Sequence, residues 1–121
     1  MAKTDKNPVD DLLPLPLPVF HMLLALSEGE RHGYALKREI LHRTGGKLNL
    51  AAGALYGSIN KMLDQGLIEE SDERPDSHLD DERRRYYRIT PLGRRVAQAE
   101  AARLQQLVRL AHDSLGIPEK A

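Results

Sequence analysis

Arg83-Arg84-Arg85-Tyr86-Tyr87-Arg88 crowds four guanidinium groups and two phenols into six consecutive positions. Guanidinium presents paired N–H donors that match phosphate oxygens, so this run is equipped for electrostatic capture of a polyanion, with no bond made or broken. Upstream of it, Ala51 to Ile68 reads AAGALYGSINKMLDQGLI. There Leu55, Ile59, Met62 and Leu63 recur at i, i+4, i+7 and i+8, the spacing of one buried helical face, which turns Gly53, Tyr56, Gly57, Asn60 and Lys61 elsewhere. That outer face is nearly free of bulky apolar side chains and has no acid until Asp64, as close approach to a polyanion demands, and the arginine run supplies the cationic charge the helix lacks. Asn60 can reach a base edge and Lys61 a phosphate. Ala51, Ala52 and Gly53 at the helix start leave room for backbone amides to meet a phosphate, and Lys47 stands in the loop before them. The residues expected to contact nucleic acid are Lys47, Ala52, Gly53, Tyr56, Asn60, Lys61, Arg83, Arg84 and Arg85.

Each has a structural alternative. Tyr56 can close the edge of the core instead of offering its hydroxyl to phosphate, and Asn60 and Lys61 can simply be solvated. Small residues at 51–53 can mean tight packing. The three arginines can pair with Asp80, Asp81 and Glu82 of the same segment, a weak interaction when exposed.

Catalytic readings find less support. The chain has no cysteine, which removes thiol nucleophiles, thiolate metal sites and disulfides. Ser27, Ser58, Ser71, Ser77 and Ser114 lie in no nucleophile elbow. Thr44-Gly45-Gly46-Lys47 has the wrong glycine spacing for a phosphate-binding loop and follows a helix, not a strand. Asp80-Asp81 sits in a polar segment with nothing to exclude water or raise a carboxyl pKa. His21, His32, His42, His78 and His112 show no short ligand spacing except His78 near Asp80 and Asp81, an arrangement far more often solvated than metal-loaded. No enzyme activity, metal or cofactor is expected.

The contact residues need a scaffold. A chain of 121 residues with 40% hydrophobic content bounds one domain with a modest core, extended by an assembly element. Lys plus Arg and Asp plus Glu number 18 each, so only their local distribution can point to a polyanion. The longest apolar stretch, Val19 to Leu26, is too short to span a bilayer, and the opening MAKTDKNPVDD lacks a secretory pattern, so a cytoplasmic location is expected. Leu12 to Pro18 alternates Leu with Pro and favours an extended arm whose leucines pack on the domain or on a second subunit. Pro18 suits the first turn of a helix, and VFHMLLALSEGE follows as a short buried helix ending near Gly29. Arg31 to Thr44 is expected as a second helix with Tyr34, Leu36, Ile40 and Leu41 inward and Gly45-Gly46 as its stop. The reading helix comes third and stops at Gly66.

Leu67 to Glu70 then begins a strand, and Arg84 to Thr90 alternates as its return, placing Arg83 and Arg85 on one face of a hairpin and Arg84 and Tyr86 on the other. Thr90-Pro91 gives an N-cap and a first-turn proline for a last helix of about 25 residues, unbroken until Gly116. Along it Ala97, Ala101, Leu104, Val108, Ala111 and Leu115 repeat at alternating spacings of four and three, the seam of a helix packed lengthwise against a partner helix. Only a partner helix accounts for such a length on this reading.

Three helices, a hairpin and a trailing helix compose a winged helix-turn-helix: mainly α with a small β-hairpin, plus a long C-terminal dimerisation helix. Over nearly all of Val19 to Leu115 the chain resembles the PadR-type transcriptional regulators. The likeness is carried by His32-Gly33-Tyr34, by Ala54-Leu55-Tyr56, by Gly66-Leu67-Ile68, and by Arg85-Tyr86-Tyr87-Arg88-Ile89-Thr90 with Gly93. The resemblance implies a homodimer that binds operator DNA, usually as a repressor, with the third helix in the major groove and the wing on the backbone or minor groove. The short C-terminal segment is similar to the family's compact branch, in which one long helix makes the dimer. Family position and strand alternation turn Tyr34 and Tyr87 into the core, and His32 is expected to cap or pack at the second helix. Two features depart from the pattern. Asp76, Asp80, Asp81 and Glu82 give an acidic wing tip that phosphate would repel, so the contact is placed on the arginine-bearing return strand. The chain also has no tryptophan, the residue that in drug-sensing members helps form a flat pocket between subunits, so a ligand pocket is unsupported.

The expected organisation is an N-terminal arm over 1–17, a winged-helix DNA-binding domain over 18–90, a dimerisation helix over 91–116 and a tail over 117–121. The expected function is sequence-specific transcriptional regulation, as a homodimeric repressor whose two reading helices lie about one DNA turn apart on a near-palindromic operator. The partners are double-stranded DNA and a second copy of the chain; any small-molecule effector goes unnamed. The alternative is a dimeric winged-helix protein-interaction adaptor without specific DNA binding, using Leu12 to Pro18 as its docking strip.

Overall fold

The computed structural model describes residues 8–71 and 85–118. In chain order these form α1 (Pro8–Asp11), α2 (Leu17–Leu26), β1 (Arg31–His32), α3 (Gly33–Arg43), α4 (Ala52–Asp64), β2 (Ile68–Glu70), β3 (Tyr86–Ile89) and α5 (Pro91–Leu115). α2 is apolar almost throughout and buries Val19, Met22, Leu23, Ala25 and Leu26, so it sits at the centre, touched by α3, α4, α5 and β3. Pro18 in its first turn loses nothing, because the first N–H groups of a helix have no intrahelical acceptor.

Two expectations need correction here. The sheet has three strands in the order β1-β3-β2 where a two-stranded hairpin was expected, because Arg31 and His32 pair antiparallel with Tyr87 and Tyr86 before α3 begins. A two-residue strand is too short to show alternation, so its sequence merges with the helix behind it. Tyr34, expected inside, is 55% exposed. The buried stripe of α3 runs through Gly33, Leu36 and Ile40, and Tyr34 falls one residue off it. His32 does cap α3: its Nδ1 accepts the Ala35 N–H at 3.1 Å, and its ring meets Tyr86 edge-on with centroids 5.4 Å apart.

β3 is the central strand, with Ile68 opposite Ile89 and Glu70 opposite Tyr87 on its other side. Tyr87 is buried, as expected. The described strand covers Tyr86–Ile89, and Arg83 and Arg84 lie outside the described residues. It passes into α5 without a linker. The Thr90 N–H donates to the Leu67 carbonyl at 3.1 Å. The Thr90 hydroxyl donates to the Gly66 carbonyl at 2.6 Å and accepts the Gly93 N–H at 3.0 Å. Thr90 is thus the N-cap of α5, and Gly116, in the left-handed region at φ 65°, ends the helix after 25 residues.

The first half of α5 belongs to its own domain: Gly93, Val96, Ala97 and Glu100 are buried there against α1, α2 and β3. This corrects the start of the expected seam, since Ala97 is 8% exposed inside its own core, and it accounts for part of the helix length without a partner. The N-terminal arm packs on the domain. α1 is one turn lying on α5, Leu15 is buried, and Leu12 and Leu13 rest on the core. Glu100, 2% exposed, ties the two together. Its carboxylate takes two 2.8 Å bonds from Arg103 and one from the Leu15 backbone N–H. Arg103 above all, and then the Leu15 amide, hold the Glu100 carboxyl below its ordinary range against the opposing effect of burial.

Candidate nucleic-acid interface

α4 buries Leu55, Ile59 and Met62 and presents Gly53, Gly57, Asn60, Lys61 and Asp64 to solvent. This is the division that the apolar spacing predicts. Ala52 and Lys47 are exposed as well. A Cβ added at Gly53 or Gly57 would meet nothing within 4 Å, so the outer stripe of the helix is bare backbone along two consecutive turns. Ala51, the N-cap, makes no side-chain cap bond.

The approach to α4 is fixed from α3. Gly45 and Gly46 turn the chain with φ of 63° and 84°, conformations that cost glycine little. Thr44 Oγ1 accepts the Leu48 N–H at 3.0 Å. Lys37 Nζ donates to Asn49 Oδ1 at 2.7 Å and to the Leu50 carbonyl at 2.8 Å. Tyr56 is half-buried at the core edge. Its ring lies against Gly33, where an added Cβ would fall 2.8 Å from Cε1 and 2.9 Å from the hydroxyl oxygen. That contact seats the second turn of α4 on the first turn of α3.

At the base of the wing the cations are paired. Arg85 Nη1 is 3.1 Å from Glu70 Oε2. Arg88 meets Glu69 at 2.8 Å and Glu30 at 3.8 Å. Buried Ser71 donates its hydroxyl to Glu30 at 2.7 Å and its N–H to the Tyr86 carbonyl at 2.8 Å. Burial, followed by the Glu70 carboxylate, pushes the Tyr87 phenol above its ordinary range. Of the three arginines expected to contact nucleic acid, Arg85 is therefore exposed but held by Glu70 on β2. The acidic tip residues Asp76, Asp80, Asp81 and Glu82 lie outside the described residues together with Arg83 and Arg84.

Around the helix-turn-helix the balance differs. Arg43 is held by Glu28 and by Glu39, the latter at 2.8 Å. The Arg43 hydrogen bond lowers the Glu39 pKa, and Glu39 in turn raises that of Arg43. Arg38, Lys47 and Lys61 form no ion pair among the described residues. Arg38 instead lies over the Tyr34 ring, 5.6 Å from its centroid, a pair the sequence reading missed by turning Tyr34 inward. The one-residue offset of Tyr34 from the Leu36 and Ile40 stripe was the signal available. Among the described residues no three His, Asp or Glu side chains group as a metal site, and no helix is long and apolar enough to cross a membrane.

An exposed, glycine-smoothed helix behind a helix-turn, flanked by a small sheet, is the form of a winged helix-turn-helix. Residues 22–99 match the model of the transcriptional regulator PadR-like family. The chain belongs to the PadR-like family. PadR-like proteins are transcriptional regulators, not enzymes. The matched span runs from α2 into the buried half of α5 and includes every element that positions α4 and the wing.

Solved structures share the fold. A transcriptional regulator from Clostridium thermocellum is 22% identical with a TM-score of 0.67, the alignment covering 79% of this chain and 87% of that one. The transcriptional regulator BldR from Sulfolobus solfataricus is 24% identical with a TM-score of 0.65, over 98% of this chain and 74% of that one. An uncharacterized 37.1 kDa protein in transposon TN4556 of Streptomyces fradiae is 30% identical over 86 residues, 71% of this chain. The matched stretch spans 22% of that relative's length. Two pairs of residues that mark the PadR-like resemblance are explained by contact: Gly33 must be bare for Tyr56, and Gly93 for the Leu67 carbonyl.

Proposed function

We propose that this PadR-like regulator acts in the cytoplasm as a homodimeric repressor, with a reading domain over 18–90 and a dimerisation helix over 91–116. α4 enters the major groove of a near-palindromic operator. Asn60 reads a base edge, and Lys47, Lys61 and the Ala52 and Gly53 backbone meet phosphates. Tyr56 seats the helix and turns its hydroxyl toward the same strand, and Arg83, Arg84 and Arg85 hold the backbone beside the wing. The single observation that carries this reading is the outer stripe of α4. Gly53 and Gly57 each weaken a helix by about 1 kcal/mol relative to alanine, nothing among the described residues requires their bareness, and close approach of a duplex does.

The second copy is supported by the far half of α5. Leu104 and Ala111 are half-buried, while Leu107, Val108 and Leu115 are exposed and uncovered by any described residue. A seam of Ala101, Leu104, Val108, Ala111 and Leu115 against its symmetry mate removes that surface from water. An effector, where one exists, acts by preferring one spacing of the two reading helices over another.

A salt-titrated shift assay on the region upstream of its own gene tests the proposal, with random duplex as competitor. Tight binding that weakens steeply with ionic strength is expected. Replacing Arg83, Arg84 and Arg85 together by alanine should weaken binding to every sequence, and Asn60→Ala should alter preference more than strength. Equal competition by random duplex defeats specific regulation. A dimer that binds no duplex at all leaves the adaptor reading in its place.

A further inference from the structure

We propose that Tyr34 and Arg38 form a second grip on the DNA backbone, carried by α3 and bordering the first turn of α4; this rests on the DNA-binding reading above. The geometry begins with the buried stripe of α3, Gly33, Leu36 and Ile40. Lys37 leaves that stripe on one side and holds Asn49 and the Leu50 carbonyl just ahead of α4. At helical spacing Tyr34 and Arg38 lie further round the same side, and Glu39 and Arg43 on the opposite one. Tyr56, from the second turn of α4, rests on Gly33, the immediate neighbour of Tyr34. The pair therefore stands beside the entrance to the reading helix and faces solvent with it.

Charge separates the two sides of α3. Arg43 is committed to Glu28 and Glu39. Arg38 meets an aromatic face 5.6 Å away and no carboxylate among the described residues. A ring attracts a cation through its quadrupole but carries no charge to cancel it, so Tyr34 orients the guanidinium while its N–H donors stay available to phosphate oxygens. An aromatic ring left 55% exposed on a helix has its use in that orientation. In this arrangement Arg38 makes the contact and Tyr34 is the positioning residue, acting through its ring and not its hydroxyl.

The test is fluorescence anisotropy of the full chain on two duplexes, the region upstream of its own gene and a random sequence of equal length, across a salt series. Arg38→Ala is expected to lower affinity about tenfold at physiological salt on both duplexes and to reduce the logarithmic salt slope by about 1.8, one phosphate contact from each subunit of the dimer. Tyr34→Ala should cost about threefold on both, and Tyr34→Phe should stay within about twofold of wild type. Both side chains are exposed, so thermal unfolding of the variants should match the parent. An unchanged salt slope for Arg38→Ala, or a loss confined to one sequence, overturns the backbone grip while DNA binding by the parent stands. A parent that binds neither duplex defeats the underlying reading instead.

Discussion

The backbone of Gly93 lies so close to the Leu67 carbonyl that a Cβ built on it would fall 2.1 Å from that oxygen. The carbonyl cannot swing aside, because it also accepts the Thr90 N–H. Gly93→Ala must therefore displace α5 from the sheet, and overpacking of this kind costs about 1–3 kcal/mol or more. Chemical denaturation should show that loss, with the melting temperature falling accordingly. A variant as stable as the parent would mean the joint between β3 and α5 is looser than these distances indicate.

Gly57→Ala is expected to act with opposite signs on stability and on binding. The position is open to solvent, with nothing within 4 Å of an added Cβ, so alanine should stabilise the fold by about 0.5–1 kcal/mol. If α4 seats its glycine stripe in a groove, the same methyl group should weaken operator binding severalfold. A variant both more stable and equally tight would remove that stripe from the interface.

The helices were legible because their signals are periodic or local. The spacing of Leu55, Ile59 and Met62 marked the inner face of α4. Thr90-Pro91 and Gly116 bracketed α5. What stayed hidden depended on contacts between distant residues. β1 is two residues long and exists only because Tyr86 and Tyr87 come to lie beside it. Tyr34 differs from an inward residue by one step of helical phase. Nothing in the sequence marks Glu100 as the acid that α1 and Leu15 cover, and Ala97 fits the spacing of a partner seam as well as it fits its own core. Periodicity shows that a face is apolar and leaves open which neighbour covers it.

Glu100 should make an acid-sensitive contribution to folding. Its carboxyl is held below its ordinary value of 4.5, first by Arg103. A depressed folded pKa gives stability that is fully present above the unfolded value and is lost as pH falls through the folded one. Glu100→Gln should therefore be less stable than the parent at neutral pH, by about 1–2 kcal/mol. The gap should close as pH drops below about 4.5. Urea unfolding of both proteins across that range is the measurement, and a gap that does not change with pH would separate Glu100 from the acid response.

Replacing Val108 and Leu115 by aspartate should produce monomers in sedimentation while leaving the melting curve of the monomer fold intact. These side chains are 53% and 71% exposed within one chain, so charge there is unfavourable only against a partner. A dimer that survives both changes would place the subunit contact elsewhere.

Thr90 is at once the residue after the last strand and the cap of α5, so the wing and the long rod share a joint with no slack. Hinges form where a few loop residues can absorb changes in φ and ψ, and this junction offers none. Displacing α5 therefore displaces the sheet with it, and the Glu100 bond to the Leu15 backbone ties the leucine arm to the same piece.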